Sequence, residues 1–456
     1  MRALWLSIFA LLLASRLCHW DVLWIEEAYP TAAAAELLRG KVLYKDIWFD
    51  KPPLFAGIYA LWGAYTGLAL RVAGAVFGLL TSWAAARAAR AFWGPREAAW
   101  AAAFTAFFLT FDTPSATLAL TPDLLTVPLH FAAAALAFSG FPLLAGLCAG
   151  VSVLFNAKGL LILAACLLWQ LHRAHVLALG FAIPVLAAAG WMAFQGSFSD
   201  YWQQVWVWGA AYSRDTLVAS PLLEGVRRTV NWSWFHLALI AGMLVASWDE
   251  KDMRWPAWLL FSLAGVFLGL RFFPRYFFHL LPVVALLAAR GFARLSPKRA
   301  AALALLLVIP LARYGPRYVQ LVQGQPWSDL AMLESSRKAA DFIKSRTHSG
   351  DTLFVWGYRP DLYPLSGLPA GTRFLDSQPL SGVIADRHLV SSQGTFPGLA
   401  RANREALLHS PRPTWVADGL GPYNPALDVR TSLPEIMAEY VLTSESPGYR
   451  IYRLAR

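Results

Sequence analysis

Ionisable side chains are concentrated between residue 20 and the next apolar block, where they could do chemistry at a membrane surface. The segment contains the acidic pair Glu26 and Glu27 and, further on, Lys51. A carboxylate close to hydrocarbon is disfavoured as an anion, so either its pKa rises or it needs a cationic partner. Either outcome suits a base that accepts a proton from a hydroxyl. The alternative is a pair of solvated loop carboxylates, and spacing alone does not decide between the two.

Two further ionisable residues interrupt apolar stretches. Asp123 follows Thr-Pro at the start of a predicted span, where it would orient an acceptor or bind a cation, or else compensate the charge of a helix N-terminus. Lys158 stands in Phe-Asn-Ala-Lys-Gly between two apolar runs. Such a lysine either reaches towards lipid phosphates in general or holds one specific phosphate.

A third basic point lies in the stretch Arg-Phe-Phe-Pro-Arg-Tyr-Phe-Phe-His, residues 271–279. The topology below places it on the outer side, where the positive-inside bias would not put Arg271 and Arg275. We therefore expect both to bind an anion, and the planar donors of arginine suit phosphate. His279 is a weaker signal, because a lone histidine at the edge of a span is more often a packed, hydrogen-bonded side chain.

The composition is that of a polytopic membrane protein. Of 456 residues, 57% are hydrophobic and only 15% are charged, far below the charge of soluble domains. The formal charge of +11 fits cytoplasmic loops and anionic lipid better than a nucleic-acid partner, because no basic module with interleaved aromatics is visible. The three cysteines all lie in apolar runs, which argues against a disulfide framework and a CxxC metal site.

Hydropathy predicts eleven spans, the first of which we expect to be retained rather than cleaved as a signal peptide. Residues 53–70 are apolar too, but their two prolines favour an interfacial helix. With that block outside the membrane and the N-terminus inside, most arginine and lysine clusters lie on the cytoplasmic side. The predicted spans are 2–19, 71–91, 97–112, 119–138, 141–155, 158–172, 175–195, 231–247, 255–271, 276–290 and 299–313.

The chain divides into a membrane domain, residues 1–315, and a soluble domain, residues 316–456, which begins where hydrophobic runs shorten. The first outer loop is residues 20–70. We expect a small α/β domain at the C-terminus, and its predicted elements are an amphipathic helix at 329–346, buried strands at 352–356 and 414–417, and a hairpin of 440–443 with 449–454.

Familiar nucleotide and hydrolase motifs are missing from the sequence. It contains no GxxxxGK[ST], no GxGxxG after a strand, no HExxH and no GxSxG. No cofactor is therefore indicated, and whether a divalent cation binds stays open.

Taken together, these residues resemble the GT-C membrane glycosyltransferases of family 39, the ArnT-like group that includes protein O-mannosyltransferases and aminoarabinose lipid A transferases. That family opens with an acidic pair plus Tyr, a small-residue helix ending in Gly, a Tyr-x-Asp segment and Lys-Pro-Pro-Leu. The matching residues here are Glu26-Glu27-Ala28-Tyr29, Ala35 to Gly40, Tyr44-Lys45-Asp46 and Lys51-Pro52-Pro53-Leu54, with Thr121-Pro122-Asp123, Lys158-Gly159 and Pro274-Arg275-Tyr276 later.

The resemblance implies a role for each of these positions. The acidic pair and Asp123 would be catalytic, and Lys51, Lys158, Arg275 and Arg271 would hold the donor phosphate. The expected substrate-positioning residues are Tyr29, Tyr44, Asp46, Tyr276 and His279. The first acid of the pair is usually Asp in that family and is Glu26 here, which leaves open whether Glu26 or Glu27 is the base.

The implied activity is transfer of a sugar from a polyprenyl-phosphate donor to a lipid, protein or glycan acceptor, by direct inverting displacement. The implied location is a bacterial-type inner membrane, with the site and the C-terminal domain on the extracytoplasmic face. The alternative is a flippase for lipid-linked saccharides. Transporters tend to place ionisable groups near the midplane and to show duplicated halves, and neither is visible in this sequence.

Overall fold

A computed structural model shows a mainly helical chain that ends in a small sheet. It describes residues 2–216, 220–325 and 330–455. Asp329, the predicted first residue of the C-terminal helix, lies outside the described residues. The predicted fold class is confirmed: an α-helical membrane protein carries a small C-terminal α/β domain.

The N-terminal part consists of eighteen described helices, seven of which begin at proline, whose missing N–H is unneeded there and whose φ already suits a helix. They are α1 Arg2–Leu17, α2 Ile25–Leu38, α3 Pro53–Ala60, α4 Leu68–Phe92, α5 Pro95–Phe108, α6 Pro114–Thr117, α7 Pro122–Phe138, α8 Pro142–Val153, α9 Gly159–Gln170, α10 Ala174–Phe194, α11 Phe198–Tyr201, α12 Trp208–Arg214, α13 Pro221–Phe235, α14 Leu237–Asp249, α15 Arg254–Phe267, α16 Leu281–Arg294, α17 Pro297–Ala304 and α18 Val308–Val322.

Three helical stretches of the described chain are long and apolar enough to cross a membrane: Leu68–Phe92, Gly159–Phe194 and Pro297–Val322. A fourth is reached if α13 and α14 count as one span, although they meet at 89°. The predicted span 231–247 contains this bend, since the chain turns sharply between Phe235 and Leu237. The total of eleven spans stays a prediction.

Much of the predicted first loop, residues 20–70, is helical. Glu26 and Glu27 lie in the first turn of α2, so they are not flexible loop carboxylates. The apolar block 53–70 forms the short helix α3 and then enters α4 at Leu68.

Helices α7 and α9 run in the same direction. Asn156, just before α9, donates from Nδ2 to Asp123 Oδ1 at the start of α7 (3.0 Å). At the other end, Gln170 Nε2 donates to the carbonyl oxygen of Ala137 (2.5 Å). Asp123 and Lys158, each at the beginning of its helix, are thereby brought to the same end of the bundle.

The C-terminal domain is built around a four-stranded sheet in the order β1-β2-β4-β3. Parallel β1 and β2 are buried along their whole length, as expected for strands covered on both faces, while β4 runs antiparallel to β2 and β3. The strands are β1 Leu353–Trp356, β2 Trp415–Asp418, β3 Tyr440–Ser446 and β4 Tyr449–Leu454, and the helices are α19 Ala331–Lys344, α20 Leu362–Ser366, α21 Gln378–Ser381, α22 Pro397–Leu408, α23 Val429–Ser432 and α24 Pro434–Met437.

The predicted strands of this domain all form, and the hairpin pairs as expected. The predicted domain boundary at 315 and 316 falls inside α18, which continues to Val322. The transition from the membrane part to the C-terminal domain therefore follows that helix.

Candidate active site

One end of the bundle brings together charged and polar side chains from four separate segments of the chain. They come from the first turn of α2, the first turn of α7, the turn before α9, and the short 3₁₀ helix Pro274–His279. We call this set the mouth cluster, and its members are Glu26, Asp123, Asn156, Lys158, Arg275, Tyr276 and His279.

Asp123 is the centre of the mouth cluster. Its Oδ1 lies 3.3 Å from His279 Nε2 and 3.7 Å from Lys158 Nζ, and it also accepts the Asn156 hydrogen bond. Its Oδ2 lies 3.7 Å from Arg275 Nε. Because Asp123 is buried and surrounded by donors, it is suited to holding cations in place rather than to exchanging protons with solvent.

Glu26 occupies the open side of the mouth cluster. Arg275 Nη1 donates to Glu26 Oε1 over 3.0 Å, and the two side chains are 24% and 26% exposed. A partly exposed ion pair is held weakly, since water and other anions compete for both partners. This pair can therefore separate when a substrate enters.

Glu27 has a different environment, although it is the next residue. Arg71 of α4 donates to Glu27 Oε2 over 2.5 Å, and both side chains are fully buried. The other oxygen, Oε1, accepts the backbone N–H of Leu120 (3.2 Å). Breaking a fully buried ion pair costs much free energy, so Glu27 is placed to hold α2 against α4.

Lys158 has an ammonium group whose hydrogen-bonding capacity is largely unused. Its Nζ lies 3.3 Å above the ring centre of Tyr276, a cation–π contact, and forms the longer ion pair with Asp123. Within the described part of the chain, this buried Nζ makes no hydrogen bond. An ammonium in that position favours binding of an anion that supplies the acceptors.

Lys51 is paired with its neighbour Asp50 and contacts no described member of the mouth cluster. Its Nζ contacts Asp50 Oδ2 at 2.6 Å, and the lysine side chain is partly exposed. The hydroxyl of Tyr29 accepts the Asp50 N–H (3.3 Å) and lies 3.4 Å from the Trp48 carbonyl oxygen. Tyr29 therefore positions the segment that carries Asp50 and Lys51.

Tyr44 and Asp46 shape the first loop instead of joining the mouth cluster. Tyr44, at φ +70°, donates its hydroxyl to the Lys51 carbonyl oxygen (2.8 Å). Asp46 is exposed, and its Oδ2 accepts the N–H of Val42 (2.8 Å), which closes a local turn. Their predicted contact with substrate stays a prediction, and the structure places both in supporting positions.

Arg271 lies outside the mouth cluster, in contact with the C-terminal domain. It forms an ion pair with Asp386 and donates from Nη2 to the carbonyl oxygens of Tyr212 (3.0 Å) and Asp215 (2.6 Å). Its guanidinium carbon lies 3.8 Å from the ring centre of Tyr212. These contacts place Arg271 between the two parts of the molecule, and its predicted phosphate contact stays a prediction.

Sequence reasoning did not single out Asn156, Arg71 or Asp50. Arg71 had a usable signal, because an arginine inside an apolar helix needs a buried partner. Asn156 stands two residues before Lys158, where an irregular turn was already expected. Asp50 adjoins Lys51 but had no feature that separated it from an ordinary loop carboxylate.

A metal site is not evident in the mouth cluster. Among the described residues no group of three or more His, Cys, Asp or Glu side chains is arranged to hold an ion. The carboxylates instead contact lysine and arginine.

A separate cavity of about 690 Å³ lies against the other face of the 3₁₀ helix Pro274–His279. Its walls combine aromatic side chains with polar and charged ones, which include Arg228, Arg313 and the pair His236 and Asp112, 3.2 Å apart. The aromatic lining includes Phe108, Trp232, Phe272, Phe277, Phe278 and Tyr314.

No protein-family model and no curated protein matches this sequence. Solved structures do share its fold. ArnT from Cupriavidus metallidurans bound to undecaprenyl phosphate aligns over 99% of this chain and 97% of its own, with a TM-score of 0.66 and 15% identity.

Two more distant structures match over almost all of this chain. They are the oligosaccharyltransferase AglB from Archaeoglobus fulgidus, in complex with an inhibitory peptide and a dolichol-phosphate (TM-score 0.52, 14% identity, 99% of this chain and 74% of AglB), and the mycobacterial arabinofuranosyltransferase AftD (TM-score 0.51, 16% identity, 99% and 41%). At these identities the likeness shows the fold alone, and the chain has the GT-C fold of these membrane glycosyltransferases.

Proposed function

We propose that this protein is a glycosyltransferase that moves a sugar from a polyprenyl-phosphate donor to a hydroxyl or amino group of an acceptor. The observation that carries the proposal is the mouth cluster, in which one partly exposed carboxylate lies beside two cations. The comparisons support it, because the solved structures of similar fold include one with undecaprenyl phosphate and one with a dolichol-phosphate.

Lys158 and Arg275 are the residues we assign to the donor phosphate. The ammonium of Lys158 lacks hydrogen bonds within the described chain, and Arg275 forms a partly exposed ion pair with Glu26 and a longer one with Asp123. As the bond between the anomeric carbon and the phosphate oxygen breaks, negative charge grows on the departing polyprenyl phosphate. Preorganised cations stabilise that charge more than they stabilise the ground state. Lys51, which is partly exposed on Asp50, is a third cation within the same region.

Glu26 is the carboxylate we assign to the acceptor. The incoming phosphate competes for Arg275, which frees Glu26 to accept the acceptor proton. The acceptor oxygen or nitrogen then forms the new bond to the anomeric carbon from the side opposite the phosphate, so the configuration inverts. We do not assign Glu27 to this role, because its carboxylate forms a fully buried ion pair with Arg71.

The surroundings of the site favour substrates with long apolar chains. The aromatic cavity shares the Pro274–His279 helix with the mouth cluster, so a lipid chain there would lie next to the reacting groups. The predicted topology puts most arginine and lysine clusters on the cytoplasmic side of the membrane. The same topology puts the site and the C-terminal domain on the extracytoplasmic face of a bacterial-type inner membrane. The acceptor is a lipid, a protein or a glycan.

A deletion strain tests the proposal. Mass spectrometry of envelope glycolipids and glycoproteins should show one sugar modification lost, and plasmid-borne wild-type protein should restore it. Full-length purified enzyme added to deletion-strain membranes should restore the same modification in vitro. If the deletion strain instead accumulates a lipid-linked saccharide on one leaflet and the purified enzyme adds no sugar, the protein is a transporter and the proposal is wrong.

A further inference from the structure

A groove of about 510 Å³, which we call the far groove, lies between the start of α8 and the start of α10. It is at the end of the bundle opposite to the mouth cluster. α7 begins beside Asp123 and runs for 17 residues, about 25 Å, before the chain turns at Gly140 into α8. Since the hydrocarbon core of a bilayer is roughly 30 Å thick, the far groove belongs to the other membrane face.

The first turns of two parallel helices form the far groove. A Cβ at Gly146 would clash with the carbonyl oxygen of Leu177, and one at Gly150 with that of Phe181. α8 and α10 therefore touch backbone to backbone and run in the same direction, so their N-terminal ends lie side by side. Neither of these two described helices has a side-chain hydrogen bond at its N-cap. The first N–H groups of a helix point out of its end and favour an anion.

Basic side chains line the far groove, and acidic ones are absent from its described walls. Arg173 and His175, at the start of α10, are both exposed. Within the described chain Arg173 forms no ion pair. No Asp or Glu occurs between Asp123 and Asp200, so this part of the chain supplies the far groove with positive charge only.

The remaining wall of the far groove is apolar and faces outward. Phe141 is 56% exposed and Leu144 is 47% exposed, both at the start of α8. On the membrane part of the chain, exposed side chains of this kind contact the acyl chains of lipids. A free anion would use only the cationic half of the far groove, whereas an amphiphile with an anionic head group fits both halves.

We propose that the far groove binds a phospholipid with a negatively charged head group. Its phosphate contacts Arg173, His175 and the first N–H groups of α8 and α10, and an acyl chain lies along Phe141 and Leu144. In the predicted topology this face is the cytoplasmic one, where anionic lipids attract basic residues. The far groove is separate from the mouth cluster, and its lipid does not depend on the proposed glycosyl transfer.

The test uses full-length protein in detergent and native mass spectrometry, which resolves bound lipids by mass. The probes are phosphatidylglycerol and phosphatidylcholine with the same acyl chains, since these two lipids differ in the charge of the head group. Wild type should bind phosphatidylglycerol about fivefold more tightly or better, as expected for a basic residue close to an anionic head group. The double variant Arg173→Ala with His175→Ala should lose most of this preference, whereas Arg173→Lys should retain it because the charge is kept.

Arg87 offers a matched control. It is an exposed arginine of α4 on the same predicted membrane face, and it does not line the far groove. Arg87→Ala should therefore keep the wild-type preference for phosphatidylglycerol. Leu144→Glu changes an exposed position, so it should fold normally, and its negative charge should weaken phosphatidylglycerol binding while every cation of the far groove stays in place.

Three results would overturn the inference. One is equal affinity of the wild type for the two phospholipids. Another is an unchanged preference in the double variant, or an equal loss in Arg87→Ala, which would trace the preference to the charge of the whole membrane face. The last is complete displacement of phosphatidylglycerol by an equal concentration of inorganic phosphate or undecaprenyl phosphate, which would make the occupant a free ion or a polyprenyl lipid.

Discussion

Glu26 and Glu27 are neighbours in the first turn of α2, yet their side chains enter opposite kinds of surroundings. Glu26 points to the mouth cluster and shares a partly exposed ion pair with Arg275 across the pocket. Glu27 points into the bundle and shares a fully buried pair with Arg71. Successive helical residues lie about 100° apart around the axis, so one acidic pair serves two faces of the same helix.

The difference shows how the same chemical group serves chemistry in one place and folding in the other. A partly exposed pair costs little to open, whereas removing one partner of a buried pair leaves an uncompensated charge. The roles of two adjacent acidic residues must therefore be assigned separately. Each role depends on the cation with which that carboxylate pairs.

The comparison predicts its largest effect for Glu26→Gln. Without the carboxylate, transfer to deletion-strain membranes should fall by roughly 10²–10⁴-fold, the usual contribution of a general base. The apparent melting temperature in detergent should stay at the wild-type value, because the lost pair is partly exposed. Glu445→Gln, an exposed position on β3, is the control and should leave transfer unchanged. A fully active Glu26→Gln enzyme would remove Glu26 from the mechanism.

Glu27→Gln should have the reverse profile. It leaves the Arg71 charge buried without its partner, which costs about 3–5 kcal/mol of stability. We expect a lower yield and a lower melting temperature, with normal transfer per folded molecule. The double variant Glu27→Leu with Arg71→Met should be more stable than Glu27→Gln, since no lone charge remains. A stable but inactive Glu27→Gln protein would exchange the roles of the two residues.

Lys158 and Arg271 extend the comparison to cations, because we expect only Lys158 to bind the donor phosphate. Lys158→Ala should weaken undecaprenyl phosphate binding about tenfold or more, as expected for a charged hydrogen bond. Arg271→Ala should leave that affinity unchanged, because its donors already bind backbone carbonyls and Asp386. Native mass spectrometry of the purified variants measures both. A larger loss of undecaprenyl phosphate affinity in Arg271→Ala than in Lys158→Ala would place Arg271 in the phosphate site and contradict this expectation.

The smallest expected effect is a pH-dependent change in melting temperature for Asp376→Asn. Because its folded pKa is raised to about 7, the folded protein binds this proton more tightly than the unfolded chain does. The stability it contributes is complete below the unfolded pKa and is lost as the pH rises towards 7. Asp376→Asn should therefore melt above wild type at pH 8, and the gap should narrow at pH 5. A gap that is independent of pH would show that Asp376 is not buried as a neutral acid.

Much of the site was predictable from local sequence. Asp123 and Lys158 of the mouth cluster interrupt apolar runs, where a charged side chain is costly unless it is paired or functional. The C-terminal strands follow from short hydrophobic segments bounded by turn residues. Each of these signals lies within a few residues of the element it describes.

The pairings between distant segments were not predictable in this way. The ion pair between Glu27 and Arg71 joins residues 44 apart in the sequence, and it depends on how α2 and α4 pack. The sharp turn between α13 and α14 lies inside the predicted span 231–247, and hydropathy alone gives no sign of it. The hydrogen bond from the Trp48 N–H to the Arg373 carbonyl oxygen joins residues 325 apart in the chain, and no period in the sequence encodes that contact.

The most direct measurement is a cryo-EM structure of the wild-type protein with undecaprenyl phosphate. We predict phosphate oxygens within about 3 Å of both Lys158 Nζ and the Arg275 guanidinium, with Glu26 released from Arg275 and Glu27 still paired with Arg71. A phosphate bound at Arg271, or one that leaves the contacts of Lys158 and Arg275 with their carboxylates intact, would contradict the account.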